Sequence, residues 1–152
     1  MKNAKNTRLH VWELALLLAL AAAILWGAAS LSRQEDRGRK VIRLHVIANS
    51  DSPEDQALKL RVRDRVLARA QELLEQSADM AQAQEVLTSA LPELTREAQQ
   101  VLAAAGCGDG VRARLERAEF PTKDYDGFSL PAGKYLALRV IIGEGRGQNW
   151  WC

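Results

Sequence analysis

Residues 41–64, VIRLHVIANSDSPEDQALKLRVRD, constrain the fold more than any other stretch of the chain. Val41, Ile42, Leu44, Val46 and Ile47 are mostly β-branched, and their density suits a strand covered on both faces. Asn49, Ser50 and Asp51 end that strand in a polar turn. Ser52-Pro53-Glu54-Asp55 then has the form of a helix start: a hydroxyl to accept an early N–H, a proline where no N–H is missed, and acids at the positive end of the helix dipole. A helix is therefore expected from Pro53 to about Gln76. On it Leu58, Leu60, Val62, Val66, Leu67, Ala70, Leu73 and Leu74 share one broad apolar arc. Lys59 and Arg63 fall inside that arc, one turn apart and close to the polar turn. Either they snorkel to water along the helix edge, or they pair with Asp51, or they reach past it to a ligand.

Ahead of this unit, Leu14 to Leu31 reads LALLLALAAAILWGAASL and carries no charge. Counted from Trp12, a helix of this length at ~1.5 Å per residue spans roughly 30 Å, the thickness of a bilayer core. Trp12 and Trp26 stand towards its ends, where interfacial aromatics belong. The segment is expected to be a signal peptide or a membrane anchor. Lys2, Lys5 and Arg8 precede it and Arg33, Arg37, Arg39 and Lys40 follow it, so the charge bias is nearly balanced. The short leader favours a cytoplasmic N-terminus with the remainder exported. Gly27-Ala28-Ala29-Ser30 offers small residues for signal-peptidase cleavage, although the apolar run exceeds a usual signal core, so removal and retention both stay open. Residues 1–31 are thus expected to form a signal peptide or membrane anchor, residues 32–40 (SRQEDRGRK) a charged linker interrupted by Glu35 and Asp36, and residues 41–152 the extracytoplasmic domain.

Beyond the first helix, Asp79 with Gln82 resembles a second capping box, and a helical apolar spacing runs from Val86 to Ala105. Pro92 inside it predicts a break or kink, and Gly106 a C-terminal stop. Val111, Ala113 and Leu115 alternate with Arg112, Arg114 and Glu116 as a half-exposed strand. FPTKDYDGFSLPAG, residues 120–133, reads as a long loop, and KYLALRVII, residues 134–142, as a strand between glycines. The expected fold class is α+β: a small mixed sheet in the order strand-helix-helix-strand-strand, backed by helices, with a parallel pairing permitted at its centre. Asn149-Trp150-Trp151-Cys152 places two large aromatics together, which either begin a strand that this chain lacks or form a partner surface.

The chemistry-bearing residues are sparse. From Ser32 onward the chain carries 18 basic and 18 acidic groups, a neutral balance that removes the footprint of non-specific nucleic-acid binding. Gly143-Glu144-Gly145-Arg146-Gly147 follows a strand but has no helix after it to aim N–H groups at a phosphate, so it reads as a turn. His45, Ser50 and Asp51 invite a hydrolase triad, yet no nucleophile-elbow or cysteine signature supports one. With two histidines and two cysteines, Cys107 and Cys152, neither a metal cluster nor a cofactor is expected; the cysteines either bridge or stay free.

Three blocks, IRLHVIANSDSPEDQALKLRVRD, FPTKDYDG and LPAGKYLALRVIIGEGRGQNWWC, resemble in content, order and spacing the stage II sporulation protein R family. The resemblance covers nearly all of the chain after the linker. It implies an exported signalling protein of endospore-forming bacteria, made in the forespore and released into the intermembrane space. There it would activate a membrane-embedded aspartic protease, stage II sporulation protein GA, that processes a mother-cell sigma-factor precursor. It implies no catalysis, no cofactor and no small-molecule substrate. It also implies a further apolar, proline-containing tail after the Trp-Trp-Cys block. The partner surface is expected in two patches: Asn49, Ser50 and Asp51 with Lys59 and Arg63, and Gly145, Asn149, Trp150 and Trp151. A cell-envelope hydrolase and a structural anchored domain are the competing readings.

Overall fold

A computed structural model of the chain describes residues 11–39 and 41–151 and separates into two units, Met1–Arg37 and Gly38–Cys152. α1 (Val11–Arg39), which lies in the first unit up to Arg37, is one 29-residue helix. Its Val11–Leu31 portion is long and apolar enough to cross a membrane and is 0% buried. Trp12 and Trp26 are exposed on it. The helix does not stop where the apolar run stops. Ser32 to Arg39 continue it, because Arg33, Gln34, Glu35, Arg37 and Arg39 favour helix and no proline interrupts them, Gly38 falling only in the last turn; Lys40 lies outside the described residues.

The second unit is the α+β domain. β1 (Ile42–Ile47) leads through the polar turn into α2 (Pro53–Leu74), then α3 (Met80–Ala104), β2 (Val111–Phe120), the short β3 (Lys123–Tyr125) and β4 (Phe128–Leu130), β5 (Gly133–Ile142) and β6 (Asn149–Trp151). The main sheet has the order β2-β5-β1-β6. β1 and β5 lie at its centre in parallel, with Ile42 opposite Leu136 and Ile47 opposite Ile141. β2 pairs antiparallel with β5, and β6 antiparallel with β1.

The starts of α2 and α3 are written into the chain. Ser52 Oγ accepts from Asp55 N at 3.1 Å with Pro53 just inside, and Asp79 Oδ1 accepts from Gln82 N at 2.8 Å. α3 ends as expected at Gly106, whose φ of 72° allows Cys107 N to bond Leu102 O and Gly106 N to bond Ala103 O. The expected break at Pro92 does not occur. α3 runs through it unbroken, with Leu87, Ala90, Leu94, Ala98 and Leu102 buried on one side. Pro92 is exposed, and burial of the residues on both sides of it holds the helix together against the missing N–H.

The core lies between the helices and one sheet face, joining Val62, Val66 and Ala70 of α2 to Leu87, Leu94 and Leu102 of α3 and to Leu44, Val46, Leu138, Val140 and Ile142 of the sheet. Leu60 is the one residue of the expected α2 arc that stays exposed, at 40%. On the opposite sheet face, buried Arg43 lays its guanidinium 4.3 Å from the Phe120 ring and 5.0 Å from the Tyr135 ring. The loop expected over residues 120–133 contains a hairpin, β3 with β4, closed by Gly127 at φ 94° and by Tyr125 stacked on Phe128 at 4.9 Å. Sequence alternation over three-residue strands is too short to separate a hairpin from a loop.

Candidate functional site

The two expected patches are one. The polar turn after β1 and the glycine-rich loop between β5 and β6 interlock, because β1 and β5 are parallel neighbours and so deliver their C-terminal ends side by side. Asn49 Oδ1 accepts from Glu144 N at 2.9 Å, and Asn49 O accepts from Arg146 N at 3.1 Å. Ala48 O takes Gly147 N at 2.9 Å, and Asp51 Oδ1 takes Gln148 N at 2.7 Å. The loop's donors are thereby met by the turn.

The glycines make this approach possible. A Cβ on Gly143 would overlap Asn49 Oδ1, and one on Gly147 would overlap the Ser50 carbonyl. At Gly145, φ is 65° and a Cβ would stand 2.7 Å from Ile141 Cγ2. The repeat of glycine at every second position that superficially suggests a phosphate cradle is a requirement for close backbone packing.

Below the turn, Asp55 gathers its polar groups. Ser50 Oγ donates to Asp55 Oδ2 at 2.5 Å and Asn49 Nδ2 to the same oxygen at 3.1 Å. These bonds, Ser50's first and then Asn49's, hold the Asp55 carboxyl below its ordinary pKa. Gln56 Nε2 donates to Ser50 O at 3.0 Å.

Lys59 does not snorkel to water. It is 6% exposed, and its Nζ donates to Gln56 Oε1 at 2.6 Å and to Gln148 O at 3.1 Å, tying α2 to the start of β6. Burial lowers its pKa, and Asp51 opposes that shift. Arg63 lies at the helix edge with its guanidinium 4.8 Å from the Trp150 ring and an ion pair to Asp64 at 2.7 Å. Trp150 is half-buried against the core opposite Val46, while Asn149 pairs with Ile47 and Trp151 with His45. The tandem aromatics therefore open an edge strand that is present in this chain. The side chain of Trp151 and all of Cys152 lie outside the described residues, and with them any bridge to Cys107, whose Sγ donates to Asp109 Oδ2 at 3.3 Å.

Eight of the nine expected site residues thus meet at one corner of the sheet, and Trp151 follows them on β6 by its backbone pairing with His45. Of these Asp51 and Asn149 are exposed, and so are Glu144 and Arg146 of the adjoining loop. Glu144, Arg146, Gln148, Asp55 and Gln56 were not singled out from the sequence. Only the Gly-x-Gly-x-Gly spacing could have shown that this loop packs against another backbone.

His45 does not belong to a triad. It points to the opposite sheet face from Val46, where Phe120 meets its ring edge-on at 5.9 Å, while Ser50 and Asp51 are bound into the turn. Burial first, and then the Arg139 charge, lower its pKa to about 4, against weaker support from Asn149 and Glu116. Among the described residues no group of three or more His, Cys, Asp or Glu could hold a metal ion.

The profile of stage II sporulation protein R matches residues 38–152, which is the whole of the second structural unit. The chain belongs to the stage II sporulation protein R family. Stage II sporulation protein R of Bacillus subtilis (strain 168) is 32% identical over 143 residues, covering 90% of this chain and 64% of the relative. The chain therefore spans somewhat under two thirds of the length of that curated relative. No solved structure matches it. Family membership supports a role in sporulation, and the apolar α1 is compatible with a signal or a membrane anchor.

Proposed function

We propose that this sporulation protein is an exported ligand that activates a membrane-embedded aspartic protease, stage II sporulation protein GA, and so leads to processing of a mother-cell sigma-factor precursor. The match over residues 38–152 carries this reading. Two further observations support it: an N-terminal apolar helix of membrane-spanning length, and a preorganised polar corner whose loop is held by at least four hydrogen bonds to the turn. A rigid surface loses little entropy on binding. In this reading the corner built by Asn49, Ser50, Asp51, Lys59, Arg63, Gly145, Asn149, Trp150 and Trp151 meets the protease and binds its active arrangement more tightly than its inactive one.

The residues at the corner divide by task. Lys59 and Asp51 hold the loop, Arg63 holds Trp150, and Glu144 and Arg146 present charge to the partner. Co-expression with the protease and the sigma-factor precursor in a non-sporulating host tests the reading. Precursor cleavage that depends on this chain is the expected result, and absence of cleavage with the chain exported and folded would overturn it. Glu144→Lys with Arg146→Glu should abolish cleavage without loss of folding, whereas Asp51→Ala and Trp150→Ala should reduce it by releasing β6.

A further inference from the structure

We infer that the free edge of β2 is a strand-addition site for an extended protein segment in which acidic and apolar residues alternate. β2 is the terminal strand of the sheet and pairs only with β5 among the described residues. Gly110 O accepts from Gly143 N, which sets the phase of the antiparallel ladder. In that phase the even-numbered residues of β2 bond β5, and the N–H groups of Val111, Ala113, Leu115, Arg117 and Glu119 point away from the sheet. The first of these is already met, since Val111 N donates to Gln99 Oε1 at 3.1 Å. The next four lie along an open rim of half-buried and exposed residues.

Charge and side-chain pattern select the occupant. Arg112 and Arg114 are exposed and share one face two residues apart. Arg114 stands directly across from Arg139, an unfavourable like-charge pairing. The one carboxylate beside them on that face, Glu116, is held by Arg139 at 2.5 Å, and that bond keeps its pKa below the ordinary value. Acidic side chains on an added strand would complete this cationic row. On the other face Ala113 and Leu115 are half-buried, with Leu115 packed against the core, so the intervening residues of the added strand would be apolar. Lipid headgroups would answer the arginines but, having only acceptors in their phosphates, not the outward carbonyls that alternate with the amides along the edge. A second copy of β2 would bring more arginines to a face whose carboxylate is already engaged.

The proposal rests on the ligand reading only in taking the occupant to be a protein, and its test does not use protease activation. The full chain in detergent micelles is titrated with a synthetic seven-residue peptide alternating aspartate and valine, and with a lysine–valine counterpart, by fluorescence polarisation. Hydrogen exchange is followed in parallel. The aspartate peptide should bind at least about tenfold tighter and slow exchange at Ala113, Leu115 and Arg117. Arg112→Gln with Arg114→Gln should weaken it about tenfold. Arg117→Pro, which removes an outward amide and spares the β5 ladder, should abolish it while exchange in β5 stays unchanged. Three results would overturn the inference: protection that falls elsewhere, self-association that protects β2 without peptide, or arginine-dependent binding to phosphatidylglycerol vesicles with none to the peptide. Peptide binding without precursor cleavage would instead count against the activator role alone.

Discussion

At the scale of single residues, burial decides what the side chains do. His45 stands in the middle of a strand, 6% exposed, and its pKa is lowered to about 4 from 6.5. Between those values the unfolded chain binds a proton that the folded chain refuses. This contribution to stability is therefore complete above pH 6.5 and is lost as pH falls towards 4, by roughly 3 kcal/mol. His45→Gln should flatten the stability profile over that window, read by urea unfolding at successive pH values. Glycine positions divide equally sharply. A Cβ at Gly147 would overlap the Ser50 carbonyl and stand 2.9 Å from Ala48 Cβ, whereas one at Gly108 meets nothing within 4 Å. Gly147→Ala should destabilise the domain by about 2–3 kcal/mol and Gly108→Ala by no more than about 0.5 kcal/mol in the same assay.

Among the elements, α3 is the one whose sequence and structure disagree. Pro92 offers no N–H to the carbonyl four residues before it, yet the helix continues from Met80 to Ala104. Its apolar face runs across the proline, from Leu87 and Ala90 to Leu94 and Ala98, and burying both halves against the same core outweighs one absent bond. Because Pro92 is exposed, Pro92→Ala should restore that bond and stabilise the domain by about 1–3 kcal/mol, seen as a raised denaturant midpoint. β6 is the reverse case. Three residues would not hold an edge strand alone, and its place is secured by Lys59 at Gln148 O, Asp51 at Gln148 N and Arg63 over Trp150.

For the molecule as a whole, α1 and the domain are separate units, and the domain has a continuous core of its own. Removing residues 1–37 should leave the thermal midpoint of the domain unchanged within error by calorimetry, while the protein moves from the membrane fraction to the soluble one. A domain that failed to fold without them would show that the core depends on the N-terminal helix.

The sequence by itself determined the apolar helix, β1 with its capped α2, the cap and glycine stop of α3, the β2–β5 hairpin strands and the α+β class. Each of these rests on signals within a few residues: an uncharged run of bilayer length, Ser52-Pro53, Asp79 with Gln82, Gly106, and alternation along Val111 to Leu115. The nine candidate residues were named from the sequence as two patches. Only the tertiary structure decided that they form one corner. Asn49 and Glu144 are 95 positions apart, and what joins them is the parallel pairing of β1 with β5. The same pairing made Lys59 a buried clamp instead of a snorkelling cation and turned the glycine loop into a packing surface. Residue identity specifies what a backbone segment can do locally, but which segments become neighbours is settled by burying one common core.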